Sequence, residues 1–92
     1  MNSFADCLTP LTAAEELAVL HRAPRLIPGL MNSGLSLEDA AALAHNATLL
    51  YYALRAKRPE LSSPRGVLDY MNLEEIARGC RMLSTLKEET AP

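Results

Sequence analysis

The sequence predicts an all-α fold, a small bundle of four to five helices around one long central helix. Residues 36–58 form the longest uninterrupted helical pattern in the chain. Helix-start signals, in which Thr, Ser or Asn precedes a carboxylate residue by three positions, stand before three separate apolar stripes. No segment alternates apolar and polar residues as a strand does, and there is no Asn-Gly hairpin turn.

The size and composition predict a single domain spanning residues 1–92. The chain has a mass of 10.0 kDa and 49% hydrophobic residues, which is typical of a folded domain with a small core. Aromatic residues make up only 4% and Trp is absent, so the core must consist mainly of aliphatic side chains.

Residues 1–11 are predicted to form an N-terminal arm. Phe4, Cys7, Leu8 and Leu11 have the spacing of one helical face. We expect this face to cover the core of its own chain, with docking on a partner chain as the alternative.

A capping box of Thr12 and Glu15 predicts that the next helix spans residues 13–23. Its expected inward stripe is Ala13, Leu17 and Leu20. Residues 24–34 are predicted to be a connector that bends at Pro28-Gly29 and covers one end of the core with four apolar side chains, Leu26, Ile27, Leu30 and Met31.

The central helix is predicted to begin after Ser36, to span about residues 37–58 and to end before Pro59. At about 100° per residue, one arc is apolar and rich in Ala. This arc should face the core, and it contains Leu37, Ala40, Leu43, Ala44, Ala47, Leu50, Tyr51 and Leu54.

The opposite arc of the central helix is also apolar, which indicates burial on both sides. Five of its residues recur at steps of three and four, the spacing of a helix–helix seam; we call them the seam strip, and they are Ala42, His45, Leu49, Tyr52 and Ala56. Two explanations remain open, packing inside the bundle and contact with another chain. The sequence-based prediction is a symmetric interface between two copies.

Two further helices are predicted after a break at residues 59–64. The first spans residues 64–71, and the second begins at Asn72, with Glu75 three residues later. The last helix should bury a stripe that contains Leu73, Ile76, Ala77, Cys80 and Leu83. Residues 87–92 are expected to form a frayed tail.

Arg55, Lys57 and Arg58 form a local basic segment at the end of the central helix. One interpretation is that these cations complement the negative end of the helix dipole. The other is a docking point for an acidic protein surface or for phosphate.

The sequence predicts neither an enzyme nor a bound metal or cofactor. His21, His45, Cys7 and Cys80 show no paired ligand spacing, so the roles of the two cysteines stay open. The four glycines are isolated, which excludes a glycine-rich phosphate loop.

The remaining features favour a reduced, cytoplasmic protein. No apolar stretch reaches the length of a membrane span, and the first residues do not look like a signal peptide. Two distant cysteines do not suggest secretion. A net charge of −2 argues against general nucleic-acid binding.

These observations predict a non-enzymatic protein–protein interaction module, a small adaptor, chaperone-like or inhibitory protein that self-associates, with a partner that the sequence does not identify. The alternative is a small helix-turn-helix-like DNA-binding regulator formed by the central segment. Its pattern is poor, because Ala44 or His45 occupies the turn position where Gly is usual. The outward residues Thr48, Leu49 and Tyr52 are also not typical readers of base edges.

Overall fold

The computed structural model describes residues 4–90, except for the side chains of Phe4, Ala5, Lys87, Glu89 and Thr90. Over this range the chain forms six α-helices and one 3-10 helix, without a strand. The elements are α1 (Phe4–Cys7), α2 (Ala13–Arg22), the 3-10 helix (Ala23–Leu26), α3 (Ile27–Asn32), α4 (Leu37–Leu54), α5 (Pro64–Tyr70) and α6 (Leu73–Thr90). The predicted all-α bundle is confirmed.

Helix α4 is the centre of the bundle, as predicted. It packs against α2, the 3-10 helix, α3, α5 and α6. Its Ala-rich arc is buried through Ala40, Ala44, Ala47 and Leu50, whereas Leu37 at the helix start is exposed. All residues from 50 to 54 are buried, so only the last part of α4 is enclosed on every side.

The helix ends at Leu54, four residues before the predicted end. The backbone N–H groups of Lys57 and Arg58 donate to the carbonyl oxygen of Leu54 at 3.1 and 2.8 Å, which closes the helix with a turn. Pro59 disfavours the helical conformation for the residue before it. The helix therefore ends before the proline, and the basic segment lies beyond its last turn.

The predicted connector is helical, which corrects the expected bend at Pro28-Gly29. Pro24 and Pro28 each occupy the first turn of a short helix, where a missing N–H costs no hydrogen bond. Three of the four predicted capping side chains, Leu26, Ile27 and Leu30, pack against the core. Gly34 follows α3 with a φ of 108°, a left-handed conformation that suits glycine.

The helix-start signals are confirmed at α2, α4 and α6. The hydroxyl groups of Thr12 and Ser36 accept from the N–H groups of Glu15 and Asp39. Asn72 and Glu75 exchange hydrogen bonds of 2.9 and 2.8 Å at the start of α6. These local patterns fix where each helix begins.

The predicted inward stripe of α2 is wrong. Leu17 and Leu20 are 59% and 63% exposed, and Ala13 is also exposed, whereas Val19 is buried. The inward face carries the polar residues Glu15 and Arg22, which reach side chains at the end of α4. These pairings turn the two leucines toward solvent.

The arm and the last helix match the predictions in part. Cys7 and Leu8 are buried against the core, while the side chain of Phe4 lies outside the described residues. Ile76 and Leu83 are buried on α6, but Leu73 and Ala77 are exposed. The predicted frayed tail starts at Lys87, whereas the α6 backbone is helical to Thr90, and residues 91–92 are not described.

Candidate interaction surface

A groove of about 460 Å³ lies between α2 and α6, with α4 as its floor. Its lining is mainly apolar and includes Val19 and Leu20 from α2, Leu49 from α4 and Leu83 from α6. The other lining residues are Pro10, Leu11, Glu16, His45, Asn46, Cys80 and Ser84. A recess of this size and lining is within the range of small-ligand pockets and is also wide enough to receive large side chains.

Two exposed leucines of α2 lie beside this groove. Leu20 is part of the groove lining, and Leu17 lies three residues before it on the same side of the helix. Scattered exposed leucines are common on soluble proteins, but a ridge of two next to an apolar recess forms a larger continuous patch. The groove and these two leucines therefore constitute the candidate interaction surface.

The seam strip is not one continuous exposed face, which corrects the sequence-based expectation. Tyr52 is only 8% exposed, because Arg22 of α2 packs against its ring and donates to its hydroxyl at 3.0 Å. His45 and Leu49 line the groove, whereas Ala42 and Ala56 are exposed elsewhere on the surface. Contact between these residues and a partner remains a prediction.

Each cation of the basic segment has an intramolecular partner. Arg55 forms an ion pair of 3.0 Å with Glu15, and Arg58 forms one of 2.6 Å with Glu60. The Lys57 ammonium donates to the backbone carbonyl of Asp6 at 3.0 Å, which joins the end of α4 to α1. These contacts engage all three cations within the chain, and docking of the segment on a partner remains a prediction.

We predict that changing Lys57 and Arg58 together to Gln leaves the thermal melting curve near that of the wild type. Both side chains lie at the surface, where ion pairs contribute little to stability. Circular dichroism of the double variant measures this directly. Loss of binding to a protein partner with an unchanged melting curve would instead identify the pair as a docking site.

A cluster of two arginines and two tyrosines joins α2 to the end of α4. The Tyr51 and Tyr52 rings meet edge to face, with 4.9 Å between their centroids. The Cζ atom of Arg22 lies 5.3 Å from the Tyr51 centroid, and that of Arg55 lies 4.6 Å from the Tyr52 centroid. Arg22 was not identified from the sequence. Its position seven residues after Glu15, on the same helical face, is the signal that relates it to the cluster.

The carboxylate of Glu15 belongs to both the helix cap and this cluster. The backbone N–H of Thr12 donates to it at 2.9 Å, and this hydrogen bond is the main reason that the pKa of Glu15 lies below its ordinary value. The Arg55 guanidinium lowers the same pKa further. Glu15 is therefore ionised at neutral pH and neutralises one of the two arginines.

Both cysteines are free thiols. Burial raises the pKa of Cys80 to about 11, which leaves almost no thiolate at neutral pH. Its thiol lines the groove and donates to the Asn46 carbonyl at 3.7 Å. Since the thiolate is the nucleophilic form, this arrangement does not support cysteine-based catalysis. In the described part of the chain, no group of His, Cys, Asp and Glu residues is arranged to hold a metal ion.

Helix α4 continues through Ala44 and His45, so this segment does not contain the turn of a helix-turn-helix motif. Across residues 4–90, no helix combines the length and the apolar character that crossing a membrane requires.

Comparisons of the chain with family models, with curated proteins and with solved structures found no match. The features of this chain that bear on its function are therefore the groove, the exposed leucines and the arginine–tyrosine cluster.

Proposed function

We propose that this chain is a non-enzymatic protein–protein interaction module that associates with a second copy of itself. The observation that carries the proposal is the pair of exposed leucines, Leu17 and Leu20, next to the apolar groove between α2 and α6. Burial raises the pKa of the Cys80 thiol in the groove wall to about 11, so this thiol is not an activated nucleophile, which supports binding over cysteine-based catalysis.

A second copy is the proposed occupant because one patch contains both exposed leucines and an apolar recess. A two-fold symmetric interface uses the same patch on both subunits, so it needs projecting and receding parts within one patch. The α2 leucines are the projecting part, and the groove is the recess beside them. In such a dimer, the leucines of each copy would occupy the groove of the other and would contact Leu49 and Leu83.

The energetic gain from this pairing is appreciable for a small domain. Full burial of a leucine side chain contributes about 1.5–3 kcal/mol, and the two leucines occur twice in a symmetric dimer. Part of that gain is offset by the loss of translational and rotational freedom on association. The assembled pair would then act as an adaptor, a chaperone-like protein or an inhibitor. The other protein that the pair would bind is still to be identified.

We predict that Leu20→Glu converts the self-associated form to a folded monomer, because a carboxylate at the groove edge would have to lose its water on association. Light scattering after gel filtration gives the mass, and circular dichroism reports the fold. The matched control is Leu73→Glu, since Leu73 is 66% exposed at the start of α6 and does not line the groove.

Three outcomes would contradict the proposal. The first is a wild-type chain that stays monomeric at high concentration. The second is a Leu20→Glu variant that retains the wild-type mass. The third is a Leu73→Glu variant that dissociates equally, which would show that any added charge has this effect.

A further inference from the structure

We propose that Arg22 and Arg55 form a phosphate-binding site against the rings of Tyr51 and Tyr52. This site lies on the inward side of α2 and does not depend on the proposed self-association. It shares Arg55 with the basic segment but does not include Lys57 and Arg58, which have other partners, and it adds Arg22.

The arginine–tyrosine cluster has an excess of positive charge. The cluster contains two guanidinium groups and one carboxylate, that of Glu15, which pairs with Arg55. Within the described residues, Arg22 forms no ion pair, and it donates to the neutral hydroxyl of Tyr52. One half-buried cation is therefore left without a counter-ion from the described chain.

The Arg22 and Arg55 guanidinium groups are both held against the Tyr52 ring. Their Cζ atoms lie 5.7 and 4.6 Å from the centroid of the same ring, that of Tyr52. The rings support the cations by cation–π attraction, and the Tyr52 hydroxyl accepts from Nη1 of Arg22 at 3.0 Å. Side chains that are held in place before binding lose less conformational entropy when a ligand arrives.

The number of oxygens and the charge of the anion favour phosphate over a carboxylate. A carboxylate has two oxygens, and a single guanidinium group can donate a hydrogen bond to each of them. A phosphate group has additional oxygens and a second negative charge, so it can accept from two guanidinium groups at once. Two arginines against the same tyrosine ring therefore suit a phosphate group better than they suit a carboxylate.

Glu15 competes with the phosphate for Arg55. The Arg55 side chain is 44% exposed, so it has access to solvent and to a ligand. When phosphate binds, the Glu15 carboxylate would leave Arg55 and keep its hydrogen bond from the backbone N–H of Thr12. Removal of the negative charge of Glu15 should therefore strengthen phosphate binding.

The test is a titration of the full chain with inorganic phosphate at constant ionic strength, followed by NMR of the arginine Nε–H groups. We expect saturable shifts at Arg22 and Arg55, and none at Arg78, which pairs with Glu74 on α6. Arg22→Gln should abolish the saturable shift of Arg55. Sodium chloride and sodium acetate at the same ionic strength serve as comparison anions.

The sharpest variant is Glu15→Gln. Glutamine keeps the capping box with Thr12, so the start of α2 is preserved while the charge is removed. Phosphate affinity should rise by roughly two- to fivefold, the range expected when an exposed ion pair no longer competes. Glu75→Gln is the matched control, because Glu75 has the same capping role with Asn72 on α6. Its phosphate affinity should equal that of the wild type.

The proposal is overturned if chloride or acetate reproduces the phosphate shifts, or if Arg22→Gln leaves the Arg55 titration unchanged. It is also overturned if Glu15→Gln binds phosphate no more tightly than Glu75→Gln. This last comparison decides the question even if Arg22→Gln does not fold, since both glutamine variants retain their helix caps.

Discussion

Leu50→Ala should lower the free energy of unfolding by about 2–5 kcal/mol, because it leaves a cavity in a fully enclosed part of the core. Leu50 is completely buried on α4, the helix that contacts most of the other elements. Small domains are stable by only about 5–15 kcal/mol, so this single change removes a large share of the total. Urea denaturation followed by circular dichroism measures the loss.

The control for this variant is Leu37→Ala on the same helix. Leu37 is 60% exposed at the first turn of α4, so its truncation creates no enclosed cavity. The urea midpoint of the Leu37→Ala variant should stay close to that of the wild type. Equal destabilisation by the two substitutions would contradict the assignment of Leu50 to the centre of the bundle.

The sequence was sufficient to predict the position of α4 and the starts of three helices, because those features depend on local chemistry. Ser36, Thr12 and Asn72 each satisfy backbone N–H groups within their own first turn. The Ala-rich arc repeats over enough turns to define one buried face, and Ala44 and Ala47 are indeed fully buried.

The orientation of α2 could not be predicted in the same way. Its apolar residues occur on more than one side, and the choice between them depends on contacts with residues far along the chain. Glu15 pairs with Arg55, and Arg22 donates to Tyr52, at separations of 40 and 30 residues. Because those pairs keep polar side chains on the inward face, Leu17 and Leu20 become exposed and Tyr52 becomes buried.

Only some residues of the candidate surface could be identified from the sequence, because the surface also depends on contacts between distant segments. His45 and Leu49 were identified on the second face of the central helix, and both line the groove. The α2 and α6 walls of that groove belong to distant segments, and helical periodicity does not indicate which segments become neighbours. Arg22 was missed because its role depends on the packing of α2 against α4.

Ala47→Leu should destabilise the fold by about 1–3 kcal/mol, through overpacking rather than through helix propensity. Ala47 is completely buried on the arc of α4 that faces its neighbours, where small side chains permit close approach. A leucine there must displace neighbouring elements or adopt a strained rotamer. Leucine is almost as good a helix former as alanine, so the helix itself should persist. Urea denaturation measures the change.

Ala42→Leu provides the matched control, because it makes the same substitution at an exposed position of α4. The added side chain has room in solvent there, so we expect a free energy of unfolding close to that of the wild type. If both variants lost the same free energy of unfolding, the loss would come from the helix itself and not from its packing against neighbouring elements. An Ala47→Leu variant as stable as the wild type would mean that the neighbouring helices are not held close against α4.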